Sequence, residues 1–243
     1  MQDYVVIDLE MTGLNVKTDH ILEVGAVKVR NHHAVDQFGA ILRQNIKIPE
    51  KVTELTGITE TMVQEGAEKE NAMKQFFEFI GDDIIVGQNV IFDYSFLKQW
   101  AVNYNMPLER NAVDTLKLAQ KFLPREQKKD LESLCAYFGV KRENAHRAFH
   151  DAYETWQVYE ALRERYEEEH AEDFLPKPLL YKVKKQTPAT ARQMKYLREY
   201  AAHYQIKLPD DLAEMTRSEA SRLTDQLIAR HGKLQRKKSD FNG

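Results

Sequence analysis

One cysteine, Cys135, is all that the chain of 243 residues possesses, so no intramolecular disulfide can form and the disulfide-stapled secreted folds are excluded. No run of about 18 apolar residues occurs, which excludes a membrane-spanning helix. The start, Met1-Gln2-Asp3-Tyr4, lacks the basic and apolar regions of a signal peptide and leads straight into a strand-like Val5-Val6-Ile7. No long-period internal repeat is present. These absences predict a soluble, cytoplasmic protein with no membrane partner.

What is present suits a globular chain. Hydrophobic residues make up 42% and charged residues 30%, enough apolar surface to bury a real core. The length fits one good-sized domain with a small addition. The net charge of −3 conceals an uneven spread. From Val183 onward there are 13 Lys+Arg and 7 Asp+Glu, a net of +6; the preceding 182 residues carry 22 and 31, a net of −9. An acidic body is compatible with a phosphodiester substrate if some carboxylates hold divalent cations, because the ions invert the local field. The basic end reads either as a phosphate-contacting segment or as a solvated helical surface.

Alternation and β-branched content predict strands over residues 4–10, 21–29 and 37–48, with a hairpin turn at Asn31-His32-His33. Pro49 opens a short helical stretch. Residues 69–80 read as a helix with Met73, Phe76, Phe77 and Ile80 on one face. Short strands near 83–87 and 112–113 then alternate with helices over about 91–104, 115–122, 130–138 and 147–168. Strands in a meander, then strands alternating with helices, predict an α/β mixed sheet flanked by helices. A charge run with Pro176 and Pro178 breaks the pattern, marking 169–188 as a linker or wrapping segment. Two capping boxes, Thr190 with Gln193 and Thr216 with Glu219, open the helices of a small hairpin over 189–235. Its expected stripes are Met194, Leu197, Ala201, Tyr204 and Ala220, Leu223, Leu227, Ile228, with Pro209 and Asp210 in the connection. Residues 236–243 read as a disordered tail.

Three segments carry chemistry. In Asp8-Leu9-Glu10 the two acids lie at i and i+2 of a strand, so both project from one face. Adjacent carboxylates repel unless a cation or proton separates them, which makes a hard divalent metal a natural occupant; two surface acids on an edge strand are the plain alternative. Asp93 falls in the first turn of a helix after a buried strand, beside the polar pair Gln88-Asn89, where α/β sheets place ligands. Its plain alternative is a charge that complements the helix N-terminus. His146 precedes Asp151 by five residues at the mouth of a long helix, so an imidazole that titrates near neutrality and a carboxylate can share one site. His150 competes for that role but falls one residue off the spacing. Cys135 lies on the apolar stripe Leu131, Leu134, Cys135, Phe138 and reads as core. Asp114 reads as a helix cap, and His32 and His33 as turn residues.

The three segments together resemble the DnaQ-like DEDDh exonuclease family, which includes the proofreading epsilon subunit of DNA polymerase III. The matching residues are Asp8-Leu9-Glu10-Met11-Thr12-Gly13-Leu14, Asn89-Val90-Ile91-Phe92-Asp93-Tyr94-Ser95-Phe96-Leu97 and His146-Arg147-Ala148-Phe149-His150-Asp151. Thr53-Glu54-Leu55-Thr56-Gly57-Ile58 and Val113-Asp114-Thr115-Leu116 also look like family segments, and the likeness runs over roughly residues 3–165. The resemblance implies an RNase H-like exonuclease domain over 1–168. It implies that Asp8, Glu10, Asp93 and Asp151 hold two divalent cations, Mg²⁺ or Mn²⁺, and that His146 is the general base of a two-metal hydrolysis. It further implies that Thr12, Gly13 and Leu14 approach the 3′-terminal nucleotide, with Asn89, Phe92 and Phe96 shaping its pocket; the i, i+4 spacing of the two phenylalanines fits core packing as well.

The implied activity is release of nucleotides from the 3′ end of DNA, with a DNA polymerase or another replication or repair protein as partner. Two departures bear on substrate. Met11 stands where many relatives carry threonine, and Asp8-Leu9-Glu10-Met11-Thr12-Gly13-Leu14 is similar to oligoribonucleases; Gln88 stands where histidine is frequent. A 3′→5′ exoribonuclease trimming short RNA is therefore the first rival. A non-catalytic nucleic-acid-binding or adaptor module is the second, and it would need no such cage of acids.

Overall fold

The apolar opening of the chain forms strand β1 (Tyr4–Met11), in which Tyr4, Val5, Val6 and Ile7 are all fully buried. β2 (Ile21–Arg30) and β3 (His33–Ile41) follow as an antiparallel meander. The turn between them is formed by Asn31 and His32 at φ 48° and 66°, the left-handed pair that matches the twist of a two-residue hairpin. The computed structural model describes residues 1–142, 145–209 and 212–234; the segment 236–243 read as a tail lies outside them.

β3 starts four residues earlier and ends seven residues earlier than its pattern predicts, for two reasons. Pairing begins as soon as the tight turn closes, with Arg30 opposite His33. Beyond Ile41 the backbone finds other partners: the N–H groups of Leu42, Arg43 and Gln44 donate to the carbonyls of Leu22, Ala67 and Val63.

β4 (Ile85–Gly87) runs parallel to β1, β5 (Asn111–Asp114) parallel to β4, and β6 (Lys177–Pro178) antiparallel to β5. The sheet order is β3-β2-β1-β4-β5-β6, so β1 is central and the edge-strand reading of Asp8 and Glu10 is corrected. The connections hold α1 (Glu50–Thr56), α2 (Glu60–Gln64), α3 (Lys69–Ile80), α4 (Ile91–Asn103), α5 (Thr115–Phe122), α6 (Leu131–Phe138) and α7 (Ala148–Tyr166).

Strand alternation sorts the core into two layers. Val5, Ile7, Leu9, Val24 and Ala26 face α3 and α4, meeting Met73, Phe76, Ile80, Tyr94 and Leu97. Tyr4, Val6, Val27 and Val29 face the opposite side, meeting Leu118, Leu134, Cys135, Val158, Tyr159 and Leu162 of α5, α6 and α7. Asp8 and Glu10 continue the even-numbered series of β1, toward α7.

The chain divides into two compact units, Met1–Val183 and Lys184–Gly243. The stretch read as linker begins within the first of them. Phe174, in a short 3-10 turn (Ala171–Phe174), is buried among Phe122 and Tyr159, and Leu179 is buried after β6.

The second unit holds α8 (Ala191–Tyr204), a 3-10 turn (Leu212–Glu214) and α9 (Arg217–His231), and both capping boxes are formed. Leu197, Tyr200 and Ala220 are its buried side chains among the described residues. Tyr200 was absent from the stripe read in the sequence. Its ring can be buried because its hydroxyl donates to the Leu227 carbonyl at 2.9 Å, leaving no unsatisfied polar tip. Met194, Ala201 and Tyr204 are covered only in part. Asp210 lies outside the described residues.

Candidate active site

Asp8 and Glu10 point from the same face of the central strand near its end, where the register with β2 shifts between Glu10 and Met11 and leaves Leu22 of β2 as the extra residue. Asp93 reaches that strand end from the first turn of α4. Its Oδ1 accepts the N–H of Leu9 at 3.1 Å, the peptide between the two acids. Asp93 is buried, and its carboxylate is held both by the N–H of Leu9 on β1 and by its own N–H in the first turn of α4.

The chain turns from β4 into α4 at Asn89, whose φ of 57° is left-handed. The Asn89 N–H donates to Asp114 at 3.0 Å, and the same Asp114 oxygen caps α5 through the Leu116 N–H at 3.0 Å. His146 and Asp151 flank the start of α7. The His146 N–H donates to Asp151 Oδ1 at 3.3 Å, and His146 itself takes a left-handed φ of 62°. One ligating atom from each of Glu10, His146 and Asp151 lies within 4.8 Å of the others.

The electrostatics of this cluster are those of crowded anions. Burial pushes the Asp8 carboxyl well above the usual carboxylate range, and Asp93, Glu10, Asp151 and Glu23 push it further. Glu10 is raised to about 8, first by burial and then by Asp151, Glu23 and Asp93, with Arg147 pulling the other way. Asp93 is raised to about 8 by burial, with Asp114 adding to the rise and its backbone hydrogen bonds opposing it. Four acids converging at this cost fit hard divalent cations, which would supply the missing positive charge through an all-oxygen donor set. The thiol has no place here: Cys135 is buried in the core and raised to about 12, chiefly by burial.

Four further residues, Glu23, Arg147, Gly25 and Arg142, position this constellation; Arg147 lies within a segment matched in the sequence, and the other three went unmarked there. Glu23, on β2 opposite Glu10, is buried and accepts Arg147 at 2.8 and 3.0 Å and the Ala148 N–H at 3.2 Å. It thereby pins the start of α7 to the sheet. A charge inside the apolar run Ile21-Leu22-Glu23-Val24 is a legible signal, because burying it requires a partner. Gly25, two residues on and on the same face, lets the α7 backbone approach: an added Cβ would stand 2.1 Å from the Ala148 carbonyl carbon. Gly25→Ala is therefore expected to lower stability by roughly 2–3 kcal/mol, the scale of core overpacking, read as a fall in melting temperature of several degrees.

The fourth residue is Arg142, which lies 2.6 Å from Asp151 Oδ1 and 2.7 Å from buried Glu154. The second contact is a charge pairing rather than an aligned hydrogen bond. Arg142 and Arg147 thus stand before and after His146 in the chain, each tied to a buried carboxylate. Nothing in the sequence pattern marks Arg142.

The residues expected near a terminal nucleotide are placed unevenly. Thr12 is buried, and both its backbone and its hydroxyl are taken up by His20, which closes the turn. Gly13 packs against Asp19, whose carboxylate would meet an added Cβ at 2.6 Å. Leu14 is 80% exposed, an apolar side chain left open to solvent. Asn89 is exposed and Phe92 half-buried, its ring edge-on to Phe96 at 5.6 Å; Phe96 is core. Gln88 ties β4 to its surroundings, donating to the Lys129 carbonyl at 2.6 Å and accepting from Thr115 at 2.5 Å. His32 pairs with Glu160 at 3.2 Å.

A mixed sheet that gathers acids at the carboxyl ends of β1 and β4, with α7 laid across one face, is the RNase H-like fold. The model of the RNase T-type exonuclease family matches residues 5–159, and the chain belongs to that family. It is 34% identical over 157 residues to the DNA polymerase III subunit epsilon of Aquifex aeolicus, covering 64% of this chain and 78% of that protein. It is 35% identical over 167 residues to the PolC-type DNA polymerase III of Clostridium perfringens, covering 69% of this chain. The chain spans only 12% of the length of that PolC-type relative. Among solved structures, Escherichia coli exonuclease I with a dT13 oligonucleotide superposes with a TM-score of 0.59 at 16% identity, over 71% of this chain and 43% of that one. Exonuclease X with 5′ overhanging duplex DNA gives 0.53 at 22%, over 67% and 92%. Both likenesses are of fold. Among the described residues no helix is long and apolar enough to cross a membrane.

Proposed function

We propose that this chain is a 3′→5′ exonuclease that hydrolyses the last phosphodiester bond of a single-stranded or frayed DNA 3′ end. The observation that carries the reading is the convergence of Asp8, Glu10, Asp93 and Asp151 beside His146, in a chain of the exonuclease family. In this reading the four carboxylates hold two divalent cations, Mg²⁺ or Mn²⁺, since oxygen-only donor sets favour hard ions. When bound, such ions polarise the phosphoryl group and stabilise charge on the attacking and leaving oxygens.

The chain's own groups do the rest. His146 takes the proton of the attacking water, while Arg142 pairs with Asp151 and the adjacent Arg147 with Glu23. The Leu9 N–H keeps Asp93 aimed at the strand end, so the acids converge before substrate arrives. In this reading Thr12, Gly13 and Leu14 approach the terminal nucleotide, and Asn89 and Phe92 help to shape its pocket. Relatives named for DNA polymerase III support DNA over RNA, and support service beside a replicative or repair polymerase.

The test is digestion of a 5′-labelled single strand, as DNA and as RNA of the same sequence, in Mg²⁺ and in excess chelator. Stepwise shortening of DNA from its 3′ end, absent in chelator, is the expected result. Full turnover in chelator would sink the mechanism. Faster shortening of RNA would establish the exoribonuclease reading that the likeness of residues 8–14 to oligoribonucleases favours. Intact strands under every condition would leave a binding module.

A further inference from the structure

The two units of the chain carry charge of opposite sign. Residues 184–243 hold 13 Lys+Arg against 7 Asp+Glu, a net of +6, while the rest of the chain holds a net of −9. The net charge of the first unit opposes a polynucleotide, apart from whatever cations the acid cluster holds. A cationic surface on the second unit would add to the chain's affinity for a strand.

The surface of the second unit is of that kind. Arg192, Lys195 and Arg198 are exposed along α8, and Arg222, Arg230 and Lys233 along and just beyond α9. Acids that would offset them are partly engaged: Glu219 closes the capping box on Thr216, and Glu199 lies 3.7 Å from Lys195. The apolar side chains are turned inward. No large hydrophobic is exposed among the described residues of this unit, whereas the first unit exposes Leu14, Leu175 and Leu180. Protein interfaces draw their strength from buried aromatic and aliphatic anchors, and this surface offers none.

We propose that the second unit is an accessory binding module for single-stranded polynucleotide, holding the phosphodiester backbone of the strand whose 3′ end the first unit degrades. The proposal deepens the reading given above and rests on it. Recognition is by charge, so it is independent of base sequence and shared by DNA and RNA. Covalent continuity with the first unit turns a weak backbone contact into a raised local concentration of strand ends.

The experiment uses the full chain carrying Arg192→Gln, Lys195→Gln and Arg198→Gln together, exposed substitutions that touch neither capping box nor core. Binding of fluorescein-labelled oligo-dT and oligo-U of about 30 nucleotides is followed by anisotropy in chelator, from about 50 to 200 mM KCl. Each lost phosphate contact removes about 0.7 from the slope of log K against log salt, so the triple variant should show a slope shallower by about 2. Its affinity at the low-salt end should fall by about tenfold or more. Turnover of thymidine 5′-monophosphate p-nitrophenyl ester, too short to engage a second site, should be unchanged. An unchanged slope on both strands overturns the proposal, as does an equal loss on the ester. Failure of both proteins to hydrolyse the ester counts against the nuclease reading instead, and the salt slopes still decide the module.

Discussion

Asp8→Asn is expected to lower turnover by about 10³-fold or more while making the cation-free protein more stable, not less. The loss follows from removing a carboxylate from the centre of the acid cluster, an effect at the upper end of those seen when one preorganised electrostatic group is deleted. The gain follows from the Asp8 carboxyl itself, which burial first and then Asp93, Glu10, Asp151 and Glu23 hold well above the usual carboxylate range, and two neighbours are raised with it. Glu10 and Asp93 both rise to about 8 in the fold, from ordinary values of 4.5 and 3.8. Between those values and about pH 8 the folded state therefore holds more protons than the unfolded one, and stability is lost as pH rises through that window. Without cations the wild-type melting temperature should fall between about pH 5 and pH 8, and Mg²⁺ at the upper end should restore it. The Asn variant removes one of the buried carboxyls that resist losing their proton, so its decline should be shallower and its response to Mg²⁺ weaker. A flat wild-type profile, or a variant that melts earlier at pH 8 in chelator, would refute this account.

His146→Ala should reduce turnover by roughly 10²–10⁴-fold, the range for losing a general base, with Mn²⁺ affinity by titration left nearly intact. The position has a complication that supplies its own control. His146 sits at φ 62°, where alanine is strained and asparagine is tolerated. If the loss comes from strain in the loop, His146→Asn should recover most of the rate; if it comes from the missing base, both variants should be equally slow. His150→Ala is the companion measurement. A larger loss there would move the base to the neighbouring histidine, which packs against Phe149.

Much of this molecule could be read before folding was considered, and the exceptions have physical causes. Helices with strong one-sided periodicity and clear ends, such as α3 and α5, match their expected limits of 69–80 and 115–122 residue for residue. The limits of β3 did not, because they depend on where its partner strand and Ala67 stand rather than on its own alternation. At the site, Asp8 and Glu10 were legible from the period of a strand, and Asp93 and His146 from their places at helix mouths. Glu23 left a trace as a charge in an apolar run, whereas Arg142 left none, since a long side chain can reach its partners from many positions. Tyr200 escaped because a hydroxyl bonded to carbonyls of another element is invisible in one helix's own pattern.

β6 has a consequence for how this protein can be approached by others. It is two residues long, ends at Pro178 and forms the last strand on its side of the sheet. Proline offers no N–H, so a further strand arriving there would find almost no ladder to join. Partners on that side must grip side chains and not backbone, and two copies of the chain cannot zip together edge to edge through β6.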